Sequence, residues 1–371
     1  MIAYPQNLPG LTRIRFFAAI WVVFYHWRMP WVVDVDSTTQ LFAMGRFGVD
    51  LFFILSGFVL THVYVTAREE GRFQFGRFLI ARIARIYPLH LAMLAFLGVV
   101  AISATRLGVP FEPDRFPLAD LPAHLLMVHA WGFAPNLGWN GPSWSISAEW
   151  FAYLAFPAYL MIAVALKRRP WALVTIAVVL FFLLDQVHLR LFGETLPMAT
   201  ERFGVIRIIP EFLIGVALYR LGQAWQLPKM LARVSLAAVV LVYLFSAHMA
   251  VDDRVLALLG APLIFLLAEL DRHAATQANK GIFVYLGDIS YAIYMIHVPF
   301  FMVAFNLLQD VLGVIAETMS TGLFAGLLVI MIGVSSLTYE FFEKPARTGI
   351  RGMGNRVLRE QPKKPNQGKQ L

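Results

Sequence analysis

The chain contains no cysteine. That excludes disulfides, a cysteine nucleophile, thiolate metal sites and S-acylation, and leaves no redox argument about compartment. Charge is scarce as well: 15% of the 371 residues are charged, against about 25% in an average soluble domain. No HExxH, zinc-finger, P-loop or glycine-rich dinucleotide pattern occurs, and the Gly-x-Ser-x-Gly of a hydrolase elbow is missing. No internal repeat of the kind common in transporters is visible.

Apolar side chains fill the place of what is missing. They make up 59% of the residues, and the mean hydropathy is +0.66, a membrane composition. Apolar runs bounded by charges, Pro or Gly fall at about 11–33, 47–66, 88–105, 144–166, 171–189, 204–222, 233–250, 255–270, 284–306 and 319–343. The expected fold is therefore an all-α integral membrane protein, a bundle of about ten transmembrane helices. The first run is aromatic throughout and lacks a small-residue cleavage site, so it reads as a retained span and not a signal peptide. Alternating the ten spans puts 23 of the 31 Lys and Arg on one side, with both termini. The positive-inside rule makes that side cytoplasmic. The net charge of +8 is thus spent on topology and lipid head groups, and nucleic acid is not an expected partner.

The longest connection, 107–143, carries Pro110, Pro113, Pro117, Pro122, Pro135 and Pro142. It reads as an extramembrane or re-entrant loop folding over the bundle. The expected division is a transmembrane domain over 1–347 and a polar, basic, disordered cytoplasmic tail over 348–371.

Ionisable residues inside apolar runs are costly, so they are the first candidates for function. Arg15 and His26 lie eleven positions apart in the first run, near one helical face and roughly 16 Å apart along the axis. Asp50 opens the second run, where a carboxylate also suits a helix N-terminus. Ser56 and Gly57 follow, with close helix packing as their plain role. Arg82 and Arg85 are helical neighbours at i, i+3. Two adjacent guanidiniums repel unless an anion sits between them, so a phosphorylated ligand and a lipid head group are both open. Glu149 shares a helical face with Ser145 and Tyr153, as a site carboxylate or a structural one. His297 precedes Pro299 and reads as a structural histidine. Glu340 and Lys344 can pair at i, i+4, and Pro345 then discourages continuation. His124 and His129, five apart, would point about 140° from each other on one helix, poor geometry for a shared metal. No metal is expected.

Taken in order, these clusters resemble the membrane-bound acyltransferase-3 family, which includes polysaccharide O-acetyltransferases. The resemblance runs from Leu11 to Arg347 and rests on Arg15-x10-His26, Arg82-Ile-Ala-Arg85, and the strings Gly48–Phe58, Trp144–Tyr153, Ser290–Pro299 and Glu343–Arg347. It implies transfer of an acyl group, most often acetyl, from acyl-CoA to a hydroxyl of a carbohydrate, lipid-linked sugar or small molecule, in a bacterial inner membrane. His26 would be the base or a covalent relay. Arg82 and Arg85 would hold CoA phosphates, Arg15 would stabilise donor or oxyanion charge, and Asp50 or Glu149 would orient His26 or the acceptor. Expected partners are lipids, acyl-CoA and the acceptor, with self-association allowed. The rival reading is a proton-coupled carrier or flippase of a sugar or lipid-linked sugar.

Overall fold

Every element of regular structure is helical in the computed structural model of the chain, which describes residues 3–108, 115–134, 138–274, 280–311, 313 and 318–360. Trp31 and Met319 form a lone β-bridge between two connections. In chain order the helices are α1 (Pro9–Trp27), α2 (Gly48–Glu69), α3 (Phe75–Leu107), α4 (Leu121–Leu125), α5 (Trp144–Leu154), α6 (Phe156–Ala165) and α7 (Pro170–Phe192). There follow α8 (Gly204–Ala224), α9 (Lys229–His248), α10 (Asp253–Arg272), α11 (Ile282–Asp288), α12 (Ser290–Asn306), α13 (Thr321–Thr338) and α14 (Lys344–Glu360).

Each apolar run of the sequence is occupied by one helix or by two in series. Six helices, or seven when the bent pair α5–α6 is one span, are long and apolar enough to cross a membrane. Helices α1, α8 and α10 fall outside that set. Each of them carries ionisable residues in or beside its apolar run: Arg15 on α1, Arg207, Glu211 and Arg220 on α8, and Glu269 and Asp271 on α10. The 55° bend between α5 and α6 has a local cause. Pro157 follows the break, lacks an N–H and would crowd the carbonyl of Tyr153 in a continuous helix.

Helix α8 is the centre of the bundle, buried on nearly every face from Ile208 to Gln223. Its tightest neighbour is α2. A Cβ on Gly57 would collide with the carbonyl oxygen of Phe212, and one on Gly215 with that of Ile54. Small residues at such a crossing let two backbones touch, as membrane helices require when no hydrophobic effect drives them together. Gly57 has the packing role its size suggests, whereas Ser56 beside it is turned to another use described below.

Helix α1 begins at Pro9, a residue suited to the first turn. Its exposed amides are satisfied from a distance: Gly10 N and Leu11 N donate to the Asp271 carboxylate of α10, at 2.8 and 3.3 Å.

The long connection after α3 tucks into the bundle instead of lying over it. Trp139 packs with Leu94, Leu97 and Phe116, and Met127 and Ala130 join the main core. Pro110, Pro113 and Pro135 lie outside the described residues. At the other end, the disordered tail expected from 348 is helical as far as Glu360, and the boundary falls inside α14. Pro345 does not stop the chain because it sits in the first turn of α14, after a π-turn at Tyr339–Glu343, where no N–H is needed. The Glu340–Lys344 pair forms, with Nζ 2.8 and 2.7 Å from the two carboxylate oxygens. Residues 361–371 lie outside the described residues.

Substituting Gly215→Leu should destabilise the α2–α8 crossing by at least about 1–3 kcal/mol, the usual cost of overpacking. Gly326→Leu, at a position with open space around it, should not. Thermal unfolding of the two detergent-purified variants against wild type checks this.

Candidate active site

Helices α1, α2, α3, α5 and α12 surround a cavity of about 120 Å³ that carries a cluster of polar side chains. Arg15 of α1, Ser56 of α2, Arg82 and Arg85 of α3, Ser145, Glu149 and Tyr153 of α5, and Tyr291 and Tyr294 of α12 all face it. The helical spacing of Ser145, Glu149 and Tyr153 does bring the three to one wall. Ser56 Oγ donates to Glu149 Oε1 at 2.7 Å, which orients the carboxylate across the cavity. Ser145 Oγ and the Tyr294 hydroxyl lie 2.7 Å apart, and Tyr294 in turn donates to the Pro142 carbonyl.

The cations of the cavity are unequally used. Arg85 is bound to Glu343, the last residue of the π-turn before α14, and lies over the Tyr291 ring. Arg82 stacks on Phe78 and Tyr153, and its buried Nε has no hydrogen-bond partner. Arg15 makes no direct ion pair among the described residues. It lies within electrostatic reach of Arg85, Glu149 and Asp288, and it also lines a second polar cleft with Thr12, His62 and Asp288. Arg15 therefore stands where two polar spaces meet.

His26, one helical face above Arg15, is not itself in the cavity wall. It reaches that wall through α12. His26 Nδ1 lies 3.0 Å from the carbonyl of Val22 and 3.1 Å from His297 Nε2. His297 Nδ1 lies 2.6 Å from the Tyr294 carbonyl. A carbonyl oxygen only accepts, so these bonds assign a proton to Nδ1 on both rings. His297 Nε2 then carries a lone pair and accepts from His26. His26 Nε2 also carries a lone pair, has no partner among the described residues, and belongs to a ring that is half-buried where His297 is fully buried. The pair is a neutral base with its free nitrogen presented and its other nitrogen anchored.

Two further contacts hold α12 for this purpose. Pro299 cannot donate to the Met295 carbonyl, and Asn140 Nδ2 supplies the missing hydrogen bond at 3.0 Å. Trp27 Nε1, next to His26 in sequence, donates to the His297 carbonyl at 3.2 Å.

Asp50 is elsewhere. It accepts from Arg207 Nη2 at 2.5 Å and Nε at 3.1 Å, with Glu211 3.7 Å from the same guanidinium and Trp144 beneath it. Asp50 thus locks α2 to α8, and neither it nor Glu149 hydrogen-bonds His26. The partner of His26 is His297, which its sequence context suggests only as a structural residue. Arg207, inside the apolar run 204–222, is 1% exposed in the bundle. Its signal was available: Arg207 and Glu211 are spaced i, i+4 within an apolar run. Asn140 left no such trace.

His124 and His129 do not share a helix. α4 ends at Leu125, Met127 takes a φ of 54°, and the chain folds back so that the two rings stack with centroids 4.1 Å apart, beside His90. Among the described residues no group of three or more His, Asp or Glu has the geometry to hold a metal.

A membrane-embedded polar cavity beside an anchored histidine base fits a transferase, and comparison with known proteins gives the class: this is an acyltransferase. A family profile described as acyltransferase domain matches residues 8–340, and the chain belongs to that acyltransferase-3 family. The acyltransferase MdmB of Streptomyces mycarofaciens is 30% identical over 374 aligned positions, which cover 94% of this chain and 93% of MdmB. The peptidoglycan O-acetyltransferase OatA of Listeria monocytogenes is 27% identical over 186 positions, 47% of this chain and 27% of OatA. No solved structure matches.

Asp50→Ala should cost about 3–5 kcal/mol of stability, because it strips both carboxylate hydrogen bonds from the buried Arg207 and leaves it only Glu211, at 3.7 Å. The double variant Asp50→Asn with Arg207→Gln should recover part of the loss. Detergent-solution melting temperatures of the three proteins test the ordering.

Proposed function

We propose that this protein is a multi-pass O-acyltransferase of a bacterial inner membrane that moves an acyl group, acetyl in the simplest case, from acyl-CoA to a hydroxyl group. The acceptor is a carbohydrate, a lipid-linked sugar or a small molecule; the name of OatA favours a cell-envelope glycan. Ten spans with both termini cytoplasmic complete the reading, supported by the helices in each apolar run and by the distribution of basic residues. The observation that carries the chemistry is the free Nε2 of His26 on a ring whose Nδ1 is held by Val22 and His297.

An alcohol attacks a thioester slowly because its oxygen keeps its proton. His26 Nε2 accepts that proton as the oxygen bonds to the carbonyl carbon. The C–S bond then breaks, and the leaving sulfur takes the proton back from His26. His297 Nε2, accepting from His26 Nδ1, favours the protonated ring in the interval without bringing a fixed charge. Arg15, on the same face of α1 but roughly 16 Å along the axis from His26, is placed to hold charge on the donor away from the reacting carbonyl. The orphaned Nε of Arg82 and the free guanidinium of Arg15 fit an anionic, phosphate-bearing donor. Glu149, fixed by Ser56, is placed to accept from an acceptor hydroxyl.

Purified protein in nanodiscs should release CoA from acetyl-CoA only when acceptor is present; movement of acceptor with no thioester loss would instead make it a carrier. His26→Ala should lower turnover by about 10²–10⁴-fold with expression and CoA binding retained. His297→Gln keeps an acceptor for His26 Nδ1–H, so it should retain more activity than His297→Phe. Equal activity of those two would remove the anchoring role of His297.

A further inference from the structure

The basic residues at the start of α3 have a second row facing them that the proposed chemistry has not used. Helix α14 lies along the first turns of α3. The contact is close: a Cβ on Gly354 would sit 2.6 Å from Ile80 Cγ2. Arg347 and Arg351 are four apart on α14 and so share a face, as Arg82 and Arg85 do on α3. Arg351 lies within electrostatic reach of Arg82, Arg85 and Arg347. Glu343 is bound to Arg85 and within reach of Arg347, and Asp288 is the next carboxylate beyond it. Tyr64 also lies near Arg351.

Four guanidiniums thus gather around one close carboxylate, and that carboxylate is already bound to Arg85. Partial burial and the neighbouring Arg82 and Arg347 push Arg351 below the usual arginine value. Such an arrangement is repulsive until an anion of more than one charge enters it, and arginine donors in pairs match phosphate oxygens. Gly354 sets how near α14 comes to α3.

We propose that α14 is the outer jaw of a polyphosphate clamp, in which Arg347 and Arg351 oppose Arg82 across the cytoplasmic mouth of the cavity and grip the phosphates of the nucleotide-bearing acyl donor. This rests on the acyl-CoA reading above and adds two residues to it. Phosphates of an anionic lipid head group share this chemistry, so the experiment separates the two sources.

Full-length protein is placed in phosphatidylcholine nanodiscs and in nanodiscs containing phosphatidylglycerol, and its Kd is measured for CoA, 3′-dephospho-CoA and pantetheine. The double variant Arg347→Gln/Arg351→Gln should bind CoA at least about tenfold more weakly, raise KM for the donor with kcat little changed, and bind pantetheine as wild type does. The Arg→Lys pair, which keeps charge and loses paired donors, should fall between. Arg356→Gln, further along α14, should leave CoA affinity alone. Wild-type CoA binding with an unchanged Kd in the double variant would overturn the clamp and leave the donor assignment standing. A wild-type CoA affinity that drops in phosphatidylglycerol discs, with no drop for the double variant, would make the occupant a lipid and overturn the nucleotide assignment. Absence of CoA binding by the wild type in either disc would overturn the donor reading and the clamp together.

Discussion

Arg207 and Asp50 face one another in the middle of the bundle with 1% and 0% of their surface exposed, where a lone charge would have no water to screen it. Making that pair requires α2 and α8 to approach until their backbones touch, which is what Gly57 and Gly215 permit. Once the crossing is fixed, the position of every other residue on α2 follows. Ser56, one residue before Gly57, is turned toward α5 and meets Glu149. Trp144, at the head of α5, lies against the Arg207 guanidinium and ties α5 to the same centre. The buried ion pair therefore acts as a register device more than as a source of stability. Its loss would disturb the cavity wall without touching any group assigned to the chemistry.

The charged residues of the interior divide by whether the protein satisfies them. Arg220 is enclosed by Glu69, Gln223 and the Ala163 carbonyl; Asp271 caps α1; Arg85 holds Glu343. These are consumed by structure. Arg15, the Nε of Arg82 and the free nitrogen of His26 are not; the two arginines line one cavity, and His26 is joined to its wall through His297 and Tyr294. Leaving a donor or a base unsatisfied in a lipid-bounded interior costs stability, and its clustering around a cavity is the physical mark of a ligand site.

Apolar periodicity alone located the helical runs, because lipid-facing residues must be apolar whatever the function. It found α8 as the run 204–222, but gave no sign that Arg207, Glu211 and Arg220 are hidden from lipid by helices on every side. The long loop was legible as irregular but not as buried, since only the partners of Asn140 and Trp139 show that it plugs the bundle. For the site, residue types pointed to His26, Arg15, Arg82 and Glu149, while pairings across the chain stayed invisible. Nothing local to His297 reveals that a residue 271 positions earlier supplies its ring partner. Likewise Glu343 sits in a motif whose apparent purpose is to end a helix, and only the fold brings it to Arg85.

The choice of a second histidine as partner for His26, where soluble hydrolases often use a carboxylate, follows from the surroundings. A carboxylate beside His26 would bring a permanent negative charge into a wall built of Val22, Trp27 and α12, with no cation left to offset it, because Arg15 is a good part of a helix away. A neutral imidazole sets the tautomer equally well through its Nε2 lone pair and adds no resting charge. The consequence is kinetic. Once His26 is protonated, the positive ring has no fixed anion to pair with and is balanced by the negative charge forming on the reacting carbonyl. Proton removal and nucleophilic attack are then favoured together and disfavoured apart, so a base of this construction stays idle until both substrates are in place.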